Sequence, residues 1–245
     1  MRAAREGLSH CVGALARVGW VRMDNAQSWP SLAVPLREGE VNEGGWPPAS
    51  PPLLLVLSGP SGVGKDALLA RLKSRGHPLH IVVTATTRPR RPRESEGVDY
   101  HFLTEAEFER LKEQGGLLEH AVVYGYHYGV PKAPVQEALA QGQDVIIRAD
   151  VQGVATIKGL LPPAVLVFLA PASWQELQER LRRRRTEGED ELNRRLAIAR
   201  EEMEKLPLFD YLVVNRDNHL DRAVATVEAI MAAERCRVGR RPIQL

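Results

Sequence analysis

Residues 53–66 read Leu53-Leu-Leu-Val-Leu57-Ser58-Gly59-Pro-Ser-Gly-Val-Gly64-Lys65-Asp66. The continuous apolar run at 53–57 is too short for an ordinary helix and predicts a strand buried on both faces of a parallel sheet. The glycines after it predict a turn, and the pattern over residues 66–73 predicts a helix. The turn matches seven positions of the phosphate-binding pattern G-x-x-x-x-G-K-[ST], in the strand–turn–helix context that pattern requires. Glycines let the chain curl until successive amide N–H groups point at one anion, backed by the positive end of the helix dipole. Gly59, Pro60, Ser61, Gly62, Val63 and Gly64 are therefore expected to cradle a nucleotide's phosphates, with Lys65 neutralising the outer ones. Asp66 stands where a Ser or Thr hydroxyl usually meets Mg2+. Its carboxylate can ligate the metal directly or through water, or complement the dipole of the helix's first turn.

Strand and helix signals alternate onward from the turn. Residues 80–84 predict a second strand, 145–147 a third, 164–169 a fourth and 211–214 a fifth. Thr104-x-x-Glu107 and Ser173-x-x-Glu176 each predict a helix start. Further helices are expected over residues 190–205 and 219–234. The alternation predicts an α/β fold with a mainly parallel sheet flanked by helices.

The segment before the run is different in kind. It ends in Gly44-Gly-Trp-Pro-Pro-Ala-Ser-Pro-Pro52, which reads as an extended linker, and residues 1–52 are expected to be a poorly ordered extension. The arginines at 2, 5, 17 and 22 against Glu6 alone loosely fit a transit peptide; an upstream extension with a later start fits equally.

Composition limits the function classes. The chain has 245 residues, 33 basic and 31 acidic, for a formal charge of +2, with 44% hydrophobic and 26% charged residues. That is ordinary for a globular protein with a real core. Near-neutral balance argues against a nucleic-acid partner, and no apolar run approaches the roughly 20 residues that span a bilayer. Cys11 and Cys236 make neither a metal-spaced pair nor a disulfide framework, so a reducing setting, the cytoplasm first, is expected. Arginines bunch at residues 88–93, 180–185 and 235–241, which suggests small anionic ligands on an otherwise balanced surface.

Beyond the phosphate turn, the sequence resembles the guanylate kinase family over residues 53–234. The resemblance rests on Thr84-Ala-Thr-Thr-Arg88 with Arg91, Gly97-Val-Asp-Tyr100-His-Phe102, Leu118-Glu119, Tyr128-Gly129, Asp150-Val-Gln-Gly153, Arg180-Leu-x-x-Arg184, Asn193-x-Arg195-Leu196 and Val214-Asn215. It implies a phosphate-loop nucleoside-monophosphate-kinase fold: a core of residues 53–87 and 132–245, a GMP-binding insert at 88–131 and a lid at 184–195. It also implies that Arg88, Arg91, Tyr100 and Tyr128 hold the GMP phosphate, and that Glu119, helped by Thr84, reads guanine. Guanidinium forks and phenol hydroxyls suit phosphate oxygens. A carboxylate suits the two parallel donors of guanine, which adenine lacks. Asp150 is expected at a guanine edge or, through water, at Mg2+. Arg184 and Arg195 would close on the transferring phosphoryl, and Asn215 would contact ATP.

The implied reaction is ATP + GMP to ADP + GDP with Mg2+, dGMP being a further expected acceptor. Lys65, Arg88, Arg184 and Arg195 are the expected catalytic residues, in a monomer or homodimer. The alternative is a non-catalytic guanylate-kinase-like binding module, which typically lacks the intact loop and lid arginines seen here. Three positions depart from the family: Asp66, Val130 where a hydroxyl is common, and Arg148 where an acid is common.

Overall fold

The apolar run becomes strand β1 (Leu54–Ser58), and all five of its residues are buried. It is the central strand of a five-stranded sheet in the computed structural model, which describes residues 50–92, 94–183 and 189–245. The extension expected at 1–52 falls almost wholly outside the described residues, as do Arg184 and residues 185–188 of the expected lid. The other strands are β2 (Leu79–Ile81), β7 (Asp144–Arg148), β8 (Val165–Pro171) and β9 (Tyr211–Asn215), in the order β2-β7-β1-β8-β9. Every pairing among them is parallel.

Successive side chains of a strand face opposite ways, so a doubly covered strand needs apolar residues throughout. Leu55 and Leu57 pack on one face with Leu68 and Leu72 of α1 (Lys65–Ser74) and Val224 and Val227 of α7 (Leu220–Arg235). Leu54 and Val56 pack on the other with Val135 of α3 (Lys132–Ala140) and Val154 and Ile157 of α4 (Val151–Leu160). Both predicted helix starts are found. Thr104 and Glu107 form a reciprocal capping box on α2 (Glu105–Glu113), and the Glu176 amide donates to Ser173 Oγ at 3.1 Å on α5 (Trp174–Arg183). Helix α6 (Glu189–Glu204) occupies the long helical pattern.

The strand expected at 80–84 is two strands. The Val82 amide makes a last bond to Ile146 O at 3.0 Å, and the chain then leaves for a second sheet, entering it as β3 (Thr84–Thr86). That sheet also holds β4 (Tyr100–Phe102), β5 (Leu117–Val123) and β6 (Tyr126–Pro131), in the order β4-β3-β6-β5. The β5–β6 hairpin turns through Tyr124 at φ 52° and Gly125 at φ 81°. A two-residue turn with both centres left-handed matches the twist of the strands, but a tyrosine there is uncommon, so turn-residue reading passes over it. Among the described residues no helix is long and apolar enough to cross a membrane.

The carboxyl ends of β1 and β7 lie side by side and carry the phosphate turn and Asp150, the crevice where open α/β sheets bind ligands. Leu55→Ala, which hollows the core beneath this crevice, is expected to cost about 2–5 kcal/mol in urea unfolding.

Candidate active site

The glycine-rich turn delivers the chain into α1 with Gly64 at φ 100° as N-cap and no side chain capping the first turn. The helix's leading amides therefore stay available to a ligand. A Cβ on Gly64 would stand 2.5 Å from Asn215 Nδ2. Asn215 is buried and donates that amide to Val63 O at 2.8 Å. Asn215, expected as an ATP contact, thus braces the phosphate loop through its side-chain amide. Arg180 joins it, donating Nη1 to Val63 O at 2.8 Å and Nη2 to Asn215 O at 2.7 Å.

Lys65 Nζ donates to the Gly59 carbonyl, and to Pro60 O at 3.2 Å. Burial lowers its pKa, while Glu202, Asp150 and Asp66 pull the other way. Those three carboxylates thus share its surroundings, and all line the cleft with residues 60–65. Asp150 also caps α4, accepting from the Gln152 amide at 3.0 Å.

On the opposite wall the second sheet supplies Thr84, Tyr100, Glu119 and Tyr128 of the residues expected for GMP, while Arg88, Arg91 and Asp150 come from flanking segments. Thr84, Arg88, Arg91, Tyr100, Glu119, Tyr128 and Asp150 all line the cleft. Arg88 is buried, with Nε on Tyr128 Oη at 3.2 Å and Nη2 on both Glu94 oxygens at 2.7 and 2.9 Å. Glu94 also accepts the Arg91 amide at 2.8 Å, so one carboxylate draws both arginines together. The Arg88 guanidinium lies 5.4 Å from the Tyr100 ring centroid, and burial pushes the Tyr100 phenol up to about 12.

Glu119 is 4% exposed, and its Oε2 has no hydrogen-bond partner among the described residues. Burial, and then the Asp150 charge, push its carboxyl up to about 8. A buried carboxylate lacking donors is a site built to receive them. Directly across the hairpin stands Val130, wholly buried in the core beneath, where its apolar side chain offers Glu119 nothing to bond. The chain makes room for Glu119 at Gly153, where a Cβ would fall 1.9 Å from Oε2.

Arg195 lines the cleft with its guanidinium 5.1 Å from the Tyr124 ring centroid, while Arg184 lies outside the described residues. Sequence reasoning missed Glu202, which is 6% exposed and pushed up to about 7 by burial. Its position seven residues after Arg195, two turns along one helix face, is the signal that could have found it. Tyr124 and Tyr126, at the hairpin turn, were missed as well. Gly153→Ala is expected to unseat Glu119 and lower stability by about 1–3 kcal/mol in urea unfolding, as overpacking does.

Comparison with known proteins agrees with this geometry. The family model "Guanylate kinase" matches residues 52–234. The chain is 44% identical over 199 residues to "Guanylate kinase 2, chloroplastic/mitochondrial" of Oryza sativa subsp. japonica, covering 81% of this chain and 70% of that protein. It is 49% identical over 185 residues to the guanylate kinase of Gloeobacter violaceus, covering 75% and 88%. The crystal structure of guanylate kinase from Anaplasma phagocytophilum superposes with a TM-score of 0.66 at 29% identity, over 78% of this chain and 90% of that one. A match this extended, in sequence and in three dimensions, means that the chain belongs to the guanylate kinase family.

Proposed function

We propose that this protein transfers the γ-phosphoryl group of ATP to GMP, giving ADP and GDP, and that it accepts dGMP as well. The observation that carries the reading is one cleft lined both by the phosphate loop with Lys65 and by an arginine–tyrosine cluster beside the buried Glu119. Those are the two ends of an in-line transfer. An oxygen of the GMP phosphate bonds to the γ-phosphorus as the bond to the bridging oxygen breaks, and ADP leaves with that electron pair. A phosphate monoester with a second pKa near 6 is mostly dianionic at neutral pH, so no general base is required. Catalysis then rests on placement and charge.

Lys65 and the amides of residues 61–64 would hold the donor phosphates. Arg195 and Arg184 would stabilise charge on the transferring group. Arg88 and Arg91, with Tyr100 and Tyr128, would hold the acceptor phosphate, while Glu119 and Thr84 take the guanine. The binding-module alternative has no observation in its favour, since the loop and Lys65 are intact.

Mg2+ is the implied metal, and the donor set fits it. No group of three potential ligands exists among the described residues, but Asp66 and Asp150 both face the cleft near Lys65. Mg2+ characteristically takes one or two carboxylates and completes its shell with phosphate oxygens and water. When bound it would offset charge on the phosphates. A reducing compartment suits the two cysteines, whether the cytoplasm or an organelle of the kind the rice relative's name states.

Two measurements test this reading. Among GMP, AMP, CMP and UMP, Mg-ATP should be turned over with GMP, and Lys65→Ala should lose about 10²–10³-fold in kcat; equal turnover of AMP would overturn the role of Glu119. The pH dependence of GMP binding follows from Glu119. Guanine donors need the ionised carboxylate, and the free protein holds this carboxyl protonated below about 8. Affinity should therefore rise with pH, about tenfold per unit between 6.5 and 7.5, and level off above 8. Calorimetry at pH 7 should find close to one proton released per GMP, and Glu119→Gln should abolish the release.

A further inference from the structure

Two of the three departures from the family, at Asp66 and Arg148, are far apart in sequence and touch in the fold. Asp66 Oδ1 accepts a hydrogen bond from Arg148 Nη1. Asp66 belongs to the first turn of α1, on the ATP side, and Arg148 ends β7. The Arg148 side chain is 11% exposed and that of Asp66 58%. A guanidinium that deeply placed needs a carboxylate partner and fixed acceptors.

Arg148 reaches the acceptor wall by three further contacts. Nη2 donates to Asp99 O at 2.8 Å, the guanidinium lies 4.0 Å from the Tyr100 ring centroid, and its own carbonyl accepts from Thr84 Oγ1 at 3.3 Å. Tyr100 thus lies under two guanidinium groups, that of Arg148 and that of Arg88 at 5.4 Å. An unbroken run of contacts joins the first turn of the ATP-side helix to the clamp for the GMP phosphate: Asp66, Arg148, Tyr100, Arg88.

We propose that Asp66 and Arg148 form one compensating unit, in which Arg148 is a positioning residue that registers the GMP-binding wall against the phosphate loop. The pair replaces the hydroxyl and the acid usual in the family. Its negative charge is moved to the helix and neutralised on the spot, so Asp66 adds no net repulsion toward a triphosphate. The proposal rests on the guanylate kinase reading for the identity of the two substrates. Its distinctive consequence crosses the cleft: altering Asp66, on the ATP side, changes the affinity for GMP.

The test compares Asp66→Ser, Arg148→Asp and the double variant, reading the GMP Kd by calorimetry, the Tm without nucleotide, and kcat with Mg-ATP and GMP. Asp66→Ser alone strands the Arg148 cation and should weaken GMP binding about tenfold. Arg148→Asp alone sets two acids together and should weaken it more. Asp66→Ser added to Arg148→Asp should then strengthen GMP binding and raise Tm, so the same substitution changes sign with its background. If Arg148→Asp does not fold, Arg148→Gln takes its place, and Asp66→Ser should then cost less than in the natural chain.

Additive effects would overturn the pair. Coupling in Tm with an unchanged GMP Kd would reduce it to a contact of the fold and overturn the positioning role. GMP binding without turnover in the unmodified chain would overturn the kinase reading while the Kd cycle still judged the pair. Failure to bind GMP at all would overturn both.

Discussion

A loop that turns its amides toward an anion must send its carbonyls elsewhere, and buried carbonyls need donors. Here the Val63 carbonyl receives two, from Asn215 on β9 and Arg180 on α5. Arg180 is itself fixed by Asp217 at 2.8 Å and by the Asn215 carbonyl at 2.7 Å. The shape of the phosphate loop is thus held by a strand and a helix that enter the sequence more than a hundred residues later. Loss of those donors would free the carbonyl to turn inward, and the loop would no longer present a uniformly positive edge. The pairing of β9 with β8 brings Asn215 within reach of this group.

Charge in the cleft is balanced internally on both sides. Glu94 lies across Arg88 and Arg91, and Glu202 reaches the Ser61 amide and the field of Lys65. Clustered cations repel one another and resist burial, so each cluster is stable only with anions among it. A phosphate dianion can enter such a site by exchanging with carboxylates that already hold the cations in position, which keeps the reorganisation small. Glu119 works by the opposite means. Its Oε2 has no hydrogen-bond partner among the described residues, and burial together with the Asp150 charge raises its pKa, so a pair of donors would meet an unsatisfied acceptor there.

The fold was largely legible from local pattern. The run at 53–57, the glycine turn, both helix starts and the apolar strands at 145–147, 164–169 and 211–214 each carry their signal within ten residues. The break at Val82 was not legible, because a β-branched run looks the same whether it stays in one sheet or passes between two. Nor was the hairpin, whose turn places a tyrosine in a left-handed conformation that only packing holds.

For the site the division is similar. The sequence alone determined that a phosphate loop follows a buried strand, because that pattern is local and its chemistry lies in the backbone. By resemblance it also selected the arginines, tyrosines and Glu119 that line the opposite wall. Only the tertiary structure decided that Asn215 bonds the Val63 carbonyl of the loop, that Glu202 enters the cleft, that Gly153 makes space for Glu119, and that Asp66 meets Arg148. Each is a contact between segments distant in the chain, and pairing across such distances is set by how the sheets and helices pack.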